Sequence, residues 1–106
     1  MHDDNRKIIT VFGTGKATAG DEVFQAACEI GAGLAEKGFI VANGGYGGTM
    51  SAAAKGAREA GGEVIGVTCS AFGRSRANEY VTKEIVTDSL QQRLNKLVEL
   101  GQAYVV

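Results

Sequence analysis

A chain of 106 residues has room for one hydrophobic core and not for two, so residues 1–106 read as a single domain. With 11 Lys and Arg against 12 Asp and Glu, the net charge of −1 offers no bulk attraction for nucleic acid or a membrane surface. The apolar runs are strand-sized, residues 1–5 are polar and acidic, and Cys28 and Cys69 form no CxxC pair. These features exclude a membrane-spanning run and a signal-peptide start, and they favour a reduced, cytoplasmic setting.

Residues 7–12, Lys-Ile-Ile-Thr-Val-Phe, are mostly β-branched and apolar on both faces, as a central parallel strand must be. The loop Gly13-Thr14-Gly15-Lys16 follows. A helix is expected over 21–37, with Asp21 and Glu22 at its positive end and Val23, Ala27, Ile30 and Leu34 as its buried stripe. Gly38 ends it. Residues 39–42 form a second buried strand, and Asn43-Gly44-Gly45-Tyr46-Gly47-Gly48 leads from it into a helix over 49–60. That helix turns Met50, Ala53, Ala54, Ala57 and Ala60 to the sheet.

Gly61-Gly62 separate this helix from a third strand at 63–68. A polar stretch then runs from Cys69 to Glu79 and carries Arg74, Arg76 and Asn78, followed by a short extended piece at 84–87. Ser89 and Gln92 have capping-box spacing and open a helix with Leu90, Leu94 and Leu97 on one face. Gly101 ends it before a last strand at 103–106. With Gly38, Gly61 and Gly101 placed as they are, all three helices are expected to finish in left-handed glycine caps. The βαβαβ pattern implies an α/β, Rossmann-like doubly wound parallel sheet in the order 3-2-1-4-5, with helices on both faces.

Glycine contributes 16 residues, about twice its usual share of ~7%, and the glycines sit at element ends as punctuation. Two loops stand out. Gly13-Thr14-Gly15-Lys16 is neither a P-loop, which needs Gly at Thr10 and Ser or Thr at Ala17, nor a dinucleotide fingerprint, which needs Gly at Thr18. It reads either as a tight turn or as a wall of the crevice at the switch point. The run Gly44 to Gly48 has more glycine than a turn requires. Placed at a strand end and a helix start, it exposes backbone N–H groups where the helix dipole favours an anion, so a phosphate or a sugar is expected near Gly45 to Thr49. Tyr46 would stack on a base or cover the loop. Arg93, one turn into the last helix, is either a surface charge or reaches back to the crevice. The only His is His2, which leaves no Cys–His or Ser–His–Asp nucleophile and no His- or Cys-ligated metal site.

In these residues the chain resembles the LOG ("lonely guy") family, once labelled lysine decarboxylase-like. The likeness lies in Gly13-Thr14-Gly15, in Asn43-Gly44-Gly45-Tyr46-Gly47-Gly48-Thr49-Met50, in Ala60-Gly61-Gly62-Glu63-Val64-Ile65-Gly66-Val67, and in the helix holding Arg93. It implies a homodimeric Rossmann-like protein that takes an AMP-like nucleotide and uses no metal and no cofactor. The activity implied is phosphoribohydrolase: the N-glycosidic bond of a nucleoside 5′-monophosphate is cleaved to base and ribose 5-phosphate. The likeness also carries an alternative, because some members of the family are non-catalytic, among them a molybdenum-cofactor carrier. It assigns nucleotide binding to Gly13, Thr14, Gly15 and residues 43–50, and a catalytic role to Arg93.

Two departures bear on that activity. Leu94 stands where the catalytic branch has Lys in its Met-x-x-Arg-Lys motif. The second signature, Pro-Gly-Gly-x-Gly-Thr with its acidic residue, is absent from a chain with no Pro. The expectation is a nucleotide-binding domain that stops before the acid-bearing segment of its parent, with an apolar terminal strand that a partner copy or a further segment would cover. Glycosidic cleavage leans on such a carboxylate, worth about 10²–10⁴ in rate.

Overall fold

The computed structural model describes residues 7–12, 22–45, 47–70 and 77–105. In chain order these are β1 (Ile8–Val11), α1 (Glu22–Glu36), β2 (Ile40–Asn43), α2 (Thr49–Glu59), β3 (Val64–Cys69), β4 (Lys83–Thr87), α3 (Leu90–Leu100) and β5 (Ala103–Val105). The strands form one parallel sheet in the order β4-β3-β2-β1-β5. Register is set at the centre, where Ile9 faces Val41 on one side and Ala103 on the other.

Alternation along the strands feeds two cores. Val11, Val41 and Val64 point to α2, where Ala53, Ala54 and Ala57 are fully buried, with Leu34 and Ala35 of α1 behind them. Ile40, Ala42, Ile65 and Val67 point the other way and close around Leu97 of α3. Helices therefore cover both faces, as expected of a doubly wound sheet. Thr10, fully buried, donates its hydroxyl to the Leu97 carbonyl at 2.9 Å, which ties the middle of α3 to the central strand.

The strand order corrects the expected 3-2-1-4-5. The segment at 83–87 is a full edge strand beside β3, and the strand after α3 takes the free side of β1, so the order by chain number is 4-3-2-1-5. Lys83-Glu84-Ile85-Val86-Thr87 is charged and half-exposed, so in sequence it reads only as a short extended piece. Side-chain hydroxyls attach it to β3. The Thr82 hydroxyl accepts from the Val64 N–H at 2.9 Å and donates to the Val64 carbonyl at 2.8 Å. The Thr87 hydroxyl donates to the Thr68 carbonyl at 2.7 Å, and that of Thr68 to the Glu84 carboxylate at 2.6 Å.

Three local expectations also shift. Gly38 and Gly61 adopt positive φ of 88° and 85°, but Gly101 is extended (φ −79°), so α3 runs into β5 without a left-handed cap. Ser89 caps α3 by accepting from the Gln92 N–H at 3.1 Å, while the Gln92 side chain accepts from Asp88 one residue outside the standard box. Of the expected stripe in α1, Ala27 is buried and Leu34 packs on the core, but Val23 and Ile30 are 58% and 39% exposed and Gly31 is buried beside Ala27. The reason is α2. A Cβ on Gly31 would collide with the Ala53 carbonyl, and one on Gly56 with the Cys28 carbonyl. Helix α1 therefore turns its glycine facet inward so that the two backbones can touch.

This seam makes a stability prediction. Gly56→Ala gains about 1 kcal/mol of helix propensity, yet overpacking at such contacts costs about 1–3 kcal/mol or more. Urea unfolding should show a net loss of stability; an unchanged or raised midpoint would mean that the helices can separate freely.

Candidate functional site

The site is built on the carboxyl end of β2. Asn43 is fully buried there, and both ends of its amide serve the loop that follows. Its Oδ1 accepts from the Gly45 N–H at 2.8 Å, and its Nδ2 donates to the Met50 carbonyl in the first turn of α2 at 2.9 Å. One side chain thus joins the strand end, the loop and the helix start.

The glycines of the loop do separate jobs. A Cβ on Gly44 would run into the Arg93 guanidinium and the Met50 sulfur. Gly45 adopts φ +81°, and a Cβ there would stand 3.0 Å from the Thr68 methyl. Gly48 is the N-cap of α2 at φ 67°, without a side chain to cap the helix. Gly47 has nothing within 4 Å of its Cβ position, so its surroundings are open. The first-turn N–H groups of a helix have no intrahelical acceptor, and α2 carries no acidic residue in that turn to offset its positive end.

Arg93 reaches this loop. From α3 its Nε donates to the Val67 carbonyl at 2.9 Å, and its Nη2 donates to the Gly44 carbonyl at 3.0 Å and lies 3.7 Å from the Met50 sulfur. The surface-charge reading therefore gives way to the other one. The guanidinium crosses the carboxyl ends of β3 and β2 and holds the loop from behind. The sequence reading gave Asn78 no role, yet its backbone N–H (2.7 Å) and its Nδ2 (3.2 Å) both donate to the Gly45 carbonyl. The contact spans 33 residues, beyond the reach of any local motif.

Gly13, Thr14, Gly15 and Tyr46, together with Lys16, Arg74 and Arg76, lie outside the described residues. Of the carboxylates around β4, Glu84 is engaged by Thr68, and Glu79 and Asp88 are exposed. Among the described residues no cluster of three His, Cys, Asp or Glu side chains gathers into a metal site. A groove of about 300 Å³ opens elsewhere, between α1 and the far end of α2. Glu29, Glu36 and Glu59 line it and no basic residue does, so it is a poor place for a phosphate.

A family model described as SLOG cluster4 matches residues 6–106. The chain belongs to the SLOG cluster4 family. Within reach of it in sequence is an uncharacterised protein of Archaeoglobus fulgidus, 33% identical over 97 residues, covering 92% of this chain and 62% of that one. Two solved structures share the fold. The molybdenum cofactor binding protein of Rippkaea orientalis superposes with a TM-score of 0.82 at 29% identity. The molybdenum cofactor carrier protein of Chlamydomonas reinhardtii does so with 0.81 at 36%. Each alignment covers 93% of this chain and 60% of the other, so this SLOG chain spans about three fifths of the length of the relatives it matches.

Arg93→Ala tests the brace. Hydrogen bonds from a charged donor are each worth about 1.5–3 kcal/mol, so the variant should lose at least that much in chemical denaturation. A loss within about 0.5 kcal/mol, as for ordinary surface positions, would return Arg93 to the solvent.

Proposed function

We propose that this SLOG domain is a non-catalytic binding module that holds a phosphorylated small molecule by its phosphate, at the loop from Gly45 to Thr49. The ligand class is a nucleoside monophosphate or the molybdenum cofactor, whose pterin carries a phosphate and which would be cargo here. One observation carries this reading: Asn43, Asn78 and Arg93 hold the loop from behind, while the space around Gly47 is open and no side chain caps the start of α2. Backbone N–H groups arranged in this way take an anion without a dedicated charged side chain. The names of the two solved relatives support a carrier. In this reading Arg93 positions the loop and is not a catalytic group, and Gly13, Thr14, Gly15 and Tyr46 complete the wall around the ligand.

The setting proposed is cytoplasmic. Cys28 and Cys69 are both free, and no helix among the described residues is long and apolar enough to cross a membrane. A homodimer belongs to the same proposal. Leu90, Leu94 and Val98, spaced four residues apart along α3, are exposed by 51%, 41% and 53%. Light scattering should give twice the monomer mass, and a monomer at high concentration would remove the dimer from the proposal.

Gly47→Val separates binding from folding. With open space around the position, the variant should unfold as cooperatively as the parent, while the added bulk blocks the approach to the backbone and weakens AMP binding at least about tenfold, or 1.4 kcal/mol. Chemical denaturation reads the folding, and a proton NMR time course with saturation transfer reads binding and turnover. Transfer to the adenine and ribose protons without release of free adenine supports the binding module. Accumulating adenine would make the chain a phosphoribohydrolase instead, and undiminished binding by Gly47→Val would move the phosphate to another loop.

A further inference from the structure

We propose that Asn78 is the positioning residue of the glycine loop, fixing its conformation before any ligand arrives. The Gly45 carbonyl takes two hydrogen bonds from this one residue, at 2.7 Å from its N–H and 3.2 Å from its Nδ2. The side chain is itself held, because its Oδ1 accepts from the Tyr80 N–H at 2.9 Å. The turn it belongs to is anchored in the fold. The Val81 N–H returns to the Asn78 carbonyl at 3.3 Å, and the Thr82 N–H donates to the Val64 carbonyl at 2.8 Å. Loop and turn can meet only because β3 carries Gly66 between them. A Cβ there would stand 2.8 Å from a Val81 methyl and 3.1 Å from the Gly45 Cα.

Peptide geometry gives the contact its consequence. A peptide unit is planar, and its C=O and N–H point in opposite directions. Capturing the Gly45 carbonyl therefore sets the direction of the whole peptide that follows, in a run where glycine leaves the backbone its greatest freedom. The preceding peptide is fixed as well, with the Gly44 carbonyl on Arg93 and the Gly45 N–H on Asn43. Arg93 and Asn43 alone leave the far side of Gly45 free to rotate, and Asn78 supplies the missing constraint. Asparagine suits the position because one amide gives both a donor for Gly45 and an acceptor for Tyr80. A loop ordered in advance spares the ligand the cost of ordering it.

Two variants separate positioning from bulk stability. Asn78→Asp is isosteric and keeps an acceptor for Tyr80, but sets a carboxylate against the Gly45 carbonyl. Asn78→Ser removes the Nδ2 donor without adding charge. The Gly45 amide leaves Asn43 only when the loop swings away, so in the ligand-free chain the loosened loop of either variant should accelerate its hydrogen exchange about tenfold, the scale of the hydrogen bond lost at the Gly45 carbonyl. Exchange at Val41 and Val67 should not change. AMP binding, the arm that rests on the function proposed above, should weaken by a similar factor in both.

Wild-type exchange at Gly45 in both variants would overturn the proposal. So would equal acceleration at Gly45, Val41 and Val67, which marks a general loss of stability. Faster exchange confined to the loop upholds the positioning role even where AMP does not bind the parent chain; in that case the phosphate reading alone fails.

Discussion

Burying the amide of Asn43 at the end of β2 is the constraint around which the candidate site is arranged. An amide taken out of water without partners costs several kcal/mol, so the fully buried Asn43 forces the chain to bring it a donor and an acceptor. The donor is the Gly45 N–H and the acceptor is the Met50 carbonyl. Meeting both demands within seven residues requires a sharp reversal, and the reversal requires positive φ at Gly45 and again at Gly48. Two of the loop's glycines, Gly45 and Gly48, are thus a consequence of satisfying one side chain. Once the loop is folded over it, α2 can start only where it does.

The next layer of support comes from the opposite side of the sheet. Helix α3 packs on the face away from α1 and α2, yet Arg93 passes over the carboxyl ends of the strands to reach the Gly44 carbonyl. Such a reach needs space, which the missing side chain of Gly44 provides. It also needs a rigid base, and the bond from Thr10 to the Leu97 carbonyl sits one helical turn further along α3. Layers that share no direct packing are therefore coupled through the loop between them.

The sheet and its two helical layers were legible because their signals are local. Runs of Val and Ile mark β1, β2 and β3, and glycine ends α1 and α2 with the positive φ expected there. What escaped the sequence depends on neighbours. The edge strand β4 is half-exposed and charged, and its place is set by pairing with β3, reinforced by hydroxyl bonds. The inward facet of α1 is chosen by how close α2 comes, so Gly31, which has no hydrophobicity to read, displaced Val23 and Ile30. Within the site, the glycine run and Arg93 could be found from type and spacing. Asn78 could not, since an asparagine in a polar stretch looks the same whether it faces solvent or a carbonyl 33 residues away.

The way the loop is held bears on the proposed choice between binding and catalysis. The Gly44 and Gly45 carbonyls accept from Arg93 and Asn78, and the Gly45 N–H is taken by Asn43. In the proposed reading the loop holds a phosphate that is not itself broken, so it binds equally before, during and after a reaction, and uniform binding of this kind lowers no barrier. Cleavage of a glycosidic bond needs a group whose interaction strengthens as the bond breaks. Among the described residues Glu84 is already engaged by the Thr68 hydroxyl, and Glu79 and Asp88 are exposed. In the proposed reading, a site that favours the ligand and leaves the barrier unchanged suits a carrier, since cargo must be released intact.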